Sequence, residues 1–118
     1  MRVLIVDDER DICDCLERFF SARGCSVSSA FSGEEALARL DQEAADVILL
    51  DILLPGLSGL EVLKRVRARD PDTRIIVITG LDQTGLRAQA YRYGASAYLT
   101  KPLNFSDPTW STVLAPST

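Results

Sequence analysis

Reactive side chains stand at the ends of short apolar runs in this chain. Asp7 and Asp8 follow the first run, and Asp51 follows a later one. Thr79 ends a third run, and Lys101 comes just after the last. Carboxylates are good ligands for hard cations, and a carboxylate can act as a covalent nucleophile. A hydroxyl and an ammonium beside them can bind an anionic group such as a phosphoryl group.

Uninterrupted apolar runs predict strands that are covered on both faces, as in a parallel sheet. Strands are predicted at residues 3–6, 46–51, 74–79 and 97–100, and a weaker strand with several serines is predicted at 25–31. Helical apolar spacing predicts helices at 9–23, after Ser32 to about 44, from about 60 to 70, and at 83–93. This alternation predicts an α/β fold with a doubly wound, five-stranded parallel sheet in the flavodoxin-like order 2-1-3-4-5. The reactive side chains would then meet at one edge of the sheet.

Local signals support several of the predicted helix boundaries. Ser32 and Glu35 have the spacing of a capping box at the start of the second helix. Gly24 and Gly94 stand where the first and fourth helices should end. Gly85 falls inside the predicted fourth helix, where glycine costs about 1 kcal/mol relative to alanine. We therefore expect the fourth helix to be loose.

The composition limits the function classes that fit the chain. Its 118 residues are enough for one domain, and 47% hydrophobic with 25% charged residues is ordinary for a globular protein. A formal net charge of -4 argues against nonspecific binding to nucleic acid. The chain has no histidine, which excludes histidine general bases, histidine metal sites and serine–histidine triads.

The cysteines and the apolar runs give expectations about the cellular compartment. Three cysteines, an odd number, predict no disulfide framework. Cys13 and Cys15 are expected to flank the buried face of the first helix as small, half-buried side chains. No apolar run is long enough to span a membrane, and residues 1–20 lack the pattern of a signal peptide. We expect a cytoplasmic protein with no membrane partner.

The chain resembles the receiver domain of two-component response regulators over residues 2–103. The resemblance rests on an ordered set of strand-end residues: Asp7, Asp8, Asp51, Thr79, Lys101 and Pro102. The proline–glycine loop after Asp51 and the Gly-Ala pair before the last strand also look like those of the family. A single Asp-Asp pair is a weak signal, whereas the whole set in order at strand–helix spacing is specific.

The resemblance implies a site for metal-dependent phosphorylation. Asp51 would be the phosphoacceptor, and Lys101 would contact the phosphoryl group. Mg²⁺, or Mn²⁺ in its place, would be bound by Asp8, Asp51 and the backbone carbonyl of Leu53. Asp7 would act through a metal-bound water. No P-loop or glycine-rich fingerprint follows the first strand, so we expect no nucleotide or flavin cofactor.

The resemblance also implies a switch and a set of partners. The Thr79 hydroxyl would move to the phosphoryl group, and Tyr98 would turn inward behind it. The phosphoryl donor would be a histidine kinase or a histidine phosphotransfer protein. A homodimer or a downstream effector would use the fourth helix and fifth strand, with no nucleic acid bound by this domain. The chain would catalyse only its own phosphorylation and dephosphorylation, and Pro102 would follow a cis peptide bond.

The carboxyl-terminal segment departs from the family pattern. Residues 1–103 are expected to form the receiver core, and residues 104–118 to replace its regular fifth helix with an atypical segment. A short helix is predicted from about Asp107 to Leu114, with Ser106 or Asp107 as its cap and Pro108 in its first turn. Apolar side chains in this segment can still cover the sheet: Phe105, Trp110, Val113 and Leu114. The chain is expected to be a stand-alone regulator or the amino-terminal part of a longer one.

Two other functions fit parts of the pattern. One is a receiver-like binding module that is never phosphorylated, which the intact set of site residues argues against. The other is a phosphohydrolase with an aspartyl-phosphate intermediate. Such enzymes resemble this chain in chemistry, but they carry the nucleophile on the first strand and a second aspartate two residues on. Here Asp7 and Asp8 are adjacent and no cap domain is inserted.

Overall fold

The computed structural model describes residues 1–80 and 85–114. Five strands form one parallel sheet in the order β2-β1-β3-β4-β5, as predicted. The strands are β1 Arg2–Val6, β2 Ser26–Ala30, β3 Val47–Asp51, β4 Arg74–Thr79 and β5 Ala97–Thr100. The helices are α1 Arg10–Ser21, α2 Gly33–Gln42, α3 Gly59–Arg69, α4 Leu86–Arg92 and α5 Pro108–Leu114. Among the described residues, no helix is both long and apolar enough to cross a membrane.

Alternate residues of each strand belong to two separate cores, one on each face of the sheet. Leu4 and Val6 pack with α2, α3 and α4, whereas Val3 and Ile5 pack with α1 and α5. This alternation follows from the period of two residues in a strand. Every residue of β3 is buried, because β3 is central and helices cover both of its faces. The confirmed α/β fold thus explains why β1, β3 and β4 carry uninterrupted apolar runs.

Helix α2 begins with the predicted capping box. Ser32 Oγ accepts a hydrogen bond from the backbone N–H of Glu35 at 3.1 Å. The Glu35 carboxylate accepts in return from the N–H of Phe31 at 3.1 Å. β4 and β5 have the predicted bounds, and α4 begins at Leu86, three residues after its predicted start. The ends of the other elements differ from the prediction by at most two residues, as at α2, which ends at Gln42 rather than near Ala44.

The prediction that Gly85 lies inside the fourth helix is wrong. Gly85 is the N-cap of α4, and its φ of 91° is a left-handed conformation that favours glycine. The helix runs from Leu86 to Arg92, and Gly94, with φ 109°, follows its end as predicted. The expected helical residues 83 and 84 lie outside the described residues.

The expected half-buried pair Cys13 and Cys15 is also corrected. The Cys13 side chain is fully buried in the core beneath α1, whereas Cys15 is exposed. Residues two positions apart lie on different sides of a helix, so only one of the two can face the sheet. All three thiols, including that of half-buried Cys25, are free.

Helix α5 is short but covers its face of the sheet through an aromatic cluster. Asp107 caps the helix, because its Oδ1 accepts from the Thr109 N–H at 2.8 Å. Trp110 is 2% exposed, and its ring centroid lies 5.5 Å from that of Phe19 and 5.4 Å from that of Phe105. The Phe19 and Phe105 rings stack at 4.4 Å. The carboxyl-terminal segment therefore forms the short helix that the sequence predicted. Aromatic packing stabilises this helix although it has few turns.

Candidate functional site

The strand register brings the reactive side chains to the carboxyl edge of the sheet. Val6 of β1 pairs with Leu50 of β3, so the next residues, Asp7 and Asp51, come to lie side by side. Lys101 follows β5, two strands away from β3. Its backbone N–H donates to the Thr79 carbonyl at 2.8 Å, which places its long side chain across the end of β4. Residues distant in the chain thus form one cluster.

Lys101 is the centre of this cluster. Its Nζ atom lies 3.0 Å from Asp7 Oδ2 and 3.0 Å from Asp51 Oδ2. A third carboxylate, that of Glu9, places its Oε1 at 2.9 Å. The Lys101 side chain is 13% exposed and those of Asp7 and Asp51 are 4% exposed, so these charges are well shielded from water.

The second oxygen of each buried aspartate is held by the loop that follows it. Asp7 Oδ1 accepts from the N–H of Glu9 at 2.9 Å. Asp51 Oδ1 accepts in the same way from the N–H of Leu53 at 2.9 Å. Each carboxylate therefore has one oxygen bound to its own loop and the other directed toward Lys101. This arrangement fixes the orientation of both groups before any ligand arrives.

Burial and hydrogen bonding change the acidity of two site residues. Burial raises the pKa of Asp7, and the hydrogen bonds from the Glu9 N–H and from Lys101 only partly oppose it. Burial alone would lower the pKa of Lys101, but hydrogen bonds to Glu9, Asp51 and Asp7 raise it above its ordinary value. Lys101 is therefore an ammonium ion at neutral pH, and the site has more negative than positive charge.

Three aspartates form a group that can hold a metal ion. One carboxylate oxygen from each of Asp7, Asp8 and Asp51 lies within 4.8 Å of the others. Asp8 is exposed and the other two are buried, so the group opens toward solvent on one side. An all-oxygen set with excess negative charge suits a hard divalent cation such as Mg²⁺ or Mn²⁺. Leu53 contacts Asp51 through its amide, and the role of its carbonyl as a ligand stays a prediction.

Thr79 and Tyr98, the two residues with predicted switch roles, lie in β4 and β5. Thr79 is fully buried at the end of β4, one residue beyond Ile78, which pairs with Asp51. Tyr98, in β5, is 5% exposed and packs in the core beneath α4. The Arg87 guanidinium lies 5.6 Å from the centre of its ring. The Tyr98 ring is thus already inward here, and the switch roles of both residues stay predictions.

The structure adds Glu9 to the residues predicted from the sequence. Its carboxylate reaches Lys101 across 92 positions of the chain. The sequence shows Glu9 as a third acidic residue directly after Asp7 and Asp8. Nothing in the sequence indicates which cationic side chain Glu9 would contact. The Lys101-Pro102 peptide bond is cis, as the resemblance implied.

The loop after Asp51 is held by close contacts that need particular residues. A Cβ atom at Gly59 would overlap the Asp51 carbonyl oxygen, so only glycine fits there. Glu34, at the start of α2, accepts from the Leu57 N–H at 2.9 Å. The same carboxylate lies against Gly56, whose φ is 72°. The loop that would face a metal ion is therefore fixed from two sides.

A five-stranded 2-1-3-4-5 sheet with acids and a lysine at its carboxyl edge defines the receiver class of signalling domains. The model of the response regulator receiver domain matches residues 3–108 of the chain. The chain belongs to this family and is a response regulator receiver domain of a two-component system.

Individual relatives agree with this assignment. The chain is 41% identical over 102 residues to the transcriptional regulatory protein DltR of Streptococcus agalactiae, covering 86% of this chain and 46% of that protein. It is similar to a two-component response regulator from Clostridium difficile, with TM-score 0.89 and 28% identity, covering 95% and 92% of the two chains. The chain spans less than half the length of the curated relatives it matches.

A third relative was solved in a modified state. It is a response regulator from Burkholderia pseudomallei with a phosphorylated aspartic acid, a calcium ion and citrate. It matches with TM-score 0.86 and 32% identity, covering 97% of this chain and 66% of that one. The present chain thus shares its fold with one protein whose structure contains a phosphorylated aspartic acid.

Proposed function

We propose that Asp51 accepts a phosphoryl group from a partner protein and that this modification switches a protein-interaction surface. The observation that carries the proposal is the contact between Lys101 Nζ and Asp51 Oδ2 at 3.0 Å, in a buried site with Asp8 nearby. A lysine so placed can bind a phosphoryl oxygen while the carboxylate attacks phosphorus. Positioning and charge stabilisation are the main tasks in phosphoryl transfer.

The proposed transfer makes one bond and breaks one. An Asp51 carboxylate oxygen forms a new bond to phosphorus, and the bond from phosphorus to the donor breaks. The leaving group takes the electron pair of that bond, and a leaving imidazole also takes a proton from water. No oxidant or reductant takes part. The Lys101 ammonium gives up no proton in this step, and hydrogen bonds to Glu9, Asp51 and Asp7 raise its pKa above the ordinary value.

Asp8 and Asp51 would hold the metal ion, with the Leu53 carbonyl as a further ligand and Asp7 acting through a water. The three aspartates fit this task because their oxygens already lie within 4.8 Å of one another. Bound Mg²⁺ would offset the negative charge of the incoming phosphoryl group. The Leu53 N–H holds the other side of the nucleophile by donating to Asp51 Oδ1.

The proposed output is a change around β4, β5 and α4. Thr79 is buried at the end of β4 beside Thr100, where its side chain can respond to a new group on Asp51. Tyr98 packs beneath α4, so a change at Thr79 can reach the α4 surface. We propose a homodimer or a downstream effector as the partner of that surface, and a histidine kinase or histidine phosphotransfer protein as the donor.

The family supports a regulatory rather than an enzymatic role. We propose that the domain acts in the cytoplasm, binds no nucleic acid itself, and catalyses only its own phosphorylation and dephosphorylation. The Burkholderia relative contains a phosphorylated aspartic acid, which supports the same chemistry at Asp51. DltR is named a transcriptional regulatory protein, and the match covers 46% of its length. In DltR, an output in transcription would therefore involve regions outside the matched domain.

Intact mass spectrometry tests the proposal directly. The protein is incubated with Mg²⁺ and acetyl phosphate, and the expected product is heavier by one phosphoryl group. Asp51→Asn should give no adduct, and Asp14→Asn, which changes an exposed acid on α1, should behave as the wild type. Absence of the adduct, or its survival in Asp51→Asn, would overturn the assignment.

A further inference from the structure

The three carboxylates around Lys101 are not equivalent. Asp7 and Asp51 are buried, with side chains 4% exposed, whereas the Glu9 side chain is 59% exposed. Glu9 belongs to the turn before α1 and is the N-cap residue of that helix, but its side chain makes no capping hydrogen bond. Its carboxylate instead lies at 2.9 Å from Lys101 Nζ. Glu9 is thus the solvent-facing member of the cluster.

The hydrogen-bonding capacity of Lys101 limits how many groups it can bind at once. An ammonium group has three N–H donors, and three carboxylates lie about 3 Å from Lys101 Nζ. A phosphoryl oxygen that binds Lys101 must therefore replace one of them. Release of Glu9 costs least, because its carboxylate returns to water, whereas a buried Asp7 without Lys101 would lose its partner inside the protein.

The negative charge of Glu9 also opposes the binding of a phosphoryl donor. Glu9 is bound to the same ammonium that contacts the proposed nucleophile, and its side chain is exposed. A donor that approaches Asp51 from solvent would therefore come close to its negative charge. Phosphoryl donors are anionic, and like charges this close repel each other even in water. Glu9 would therefore oppose the donor both by repulsion and by occupying Lys101.

We propose that Glu9 is a positioning residue that slows phosphorylation of Asp51 by holding Lys101 and repelling anionic donors. The inference rests on the proposed function of Asp51 and adds a control on its rate. Removal of the charge at position 9 should speed phosphorylation by dianionic donors about threefold to tenfold at low salt. The acceleration should shrink as salt is added, because exposed charges are screened.

The experiment compares rates of phosphorylation with two donors in the presence of Mg²⁺. Acetyl phosphate is a dianion, and phosphoramidate is a zwitterion of lower net charge. Glu9→Gln should react faster than the wild type with acetyl phosphate and show a smaller gain with phosphoramidate. Glu9→Ala should do the same, whereas Glu9→Asp, which keeps the charge, should stay close to the wild type. Urea unfolding of each variant reports any change in the fold itself.

A matched control separates a local effect from net charge. Asp14→Asn removes the same charge from an exposed position farther along α1 and should leave both rates unchanged. The inference fails if Glu9→Gln reacts at the wild-type rate or more slowly, or if Asp14→Asn is accelerated equally. A wild-type protein that takes up no phosphoryl group would instead overturn the proposed function. The two failures are therefore distinguished within one series.

Discussion

Lys101 Nζ lies 3.0 Å from Asp51 Oδ2, although the two residues are 50 positions apart in the chain. The contact forms because β4 alone separates β3 from β5, and a lysine side chain can reach across one strand. The same ammonium contacts Asp7 and Glu9, so one positive charge is shared by three carboxylates. Because the negative charges outnumber the positive one, we expect the site to lower the stability of the folded protein when no metal ion is bound.

The stability cost of Asp7 predicts a dependence on pH. Because its folded-state pKa is raised above the unfolded value of 3.8, its favourable contribution is complete below that value. That contribution is lost as the pH rises through the folded-state pKa. In metal-free buffer, the unfolding free energy of Asp7→Asn minus that of the wild type should therefore increase as the pH rises from about 4 to neutrality. Urea denaturation across this range measures it, and Asp14→Asn, an exposed acid, should not show the same trend. Parallel curves for Asp7→Asn and the wild type would contradict the prediction.

Addition of Mg²⁺ should stabilise the folded protein through the three aspartates. A ligand at a hundredfold excess over its dissociation constant stabilises by about 2.7 kcal/mol. Asp8→Asn should lose most of this response, because Asp8 is the exposed member of the group and has no contact with Lys101 among the described residues. Thermal unfolding with and without Mg²⁺ gives the difference. An equal shift of the midpoint in the wild type and in Asp8→Asn would place the ion elsewhere.

The cysteines should differ in reactivity according to their burial. Burial, together with the charge of Asp7, raises the pKa of the Cys13 thiol to about 11, so very little of it is thiolate at mildly alkaline pH. Cys15 is exposed and Cys25 is half-buried. A short iodoacetamide pulse on the native protein should therefore label Cys15 first, Cys25 more slowly and Cys13 hardly at all. Peptide mapping identifies the sites, and Cys15→Ser should remove the fast phase. Rapid labelling of Cys13 in the folded protein would show that α1 opens readily.

The aromatic cluster predicts that the short α5 is essential for stability. Trp110→Ala should lower the free energy of unfolding by about 3 kcal/mol or more, because it leaves a cavity between α1 and α5. Trp110→Phe keeps the ring contacts with Phe19 and Phe105 and should cost less, although it loses the hydrogen bond from Nε1 to the Asn104 carbonyl at 3.0 Å. Urea unfolding followed by circular dichroism measures both variants. A cost below 1 kcal/mol for Trp110→Ala would mean that α5 contributes little to the fold.

Local sequence patterns were sufficient to predict strands and helix starts where burial and hydrogen bonding act within a short segment. The apolar runs before Asp7, Asp51 and Thr79 predicted buried strands, and the Ser32–Glu35 spacing predicted the start of α2. The error at Gly85 has a physical reason as well. Glycine destabilises a helix interior but is favoured where the backbone has positive φ, and the sequence does not reveal which applies.

The sequence predicted that distant residues meet at one edge of the sheet, but it did not predict several of the individual contacts between them. The partner of Glu9 is 92 positions away, and its identity depends on the register of β1, β3, β4 and β5 together. The burial of Cys13 rather than Cys15 depends on the rotation of α1 against the sheet, which packing decides. The stacking of Phe19 on Phe105 likewise joins two segments that are far apart in the chain, and it depends on how both segments pack on the sheet.

The sequence by itself determined the class of fold, the order of the strand ends and the chemical types available at the site. It did so because apolar periodicity and capping are local properties of the chain. Tertiary structure alone decided that Lys101 is shared among Asp7, Glu9 and Asp51, since hydrogen-bond geometry depends on distances through space. A lysine and three acids in a sequence are only candidates. Their arrangement about 3 Å apart at one sheet edge is what makes a site.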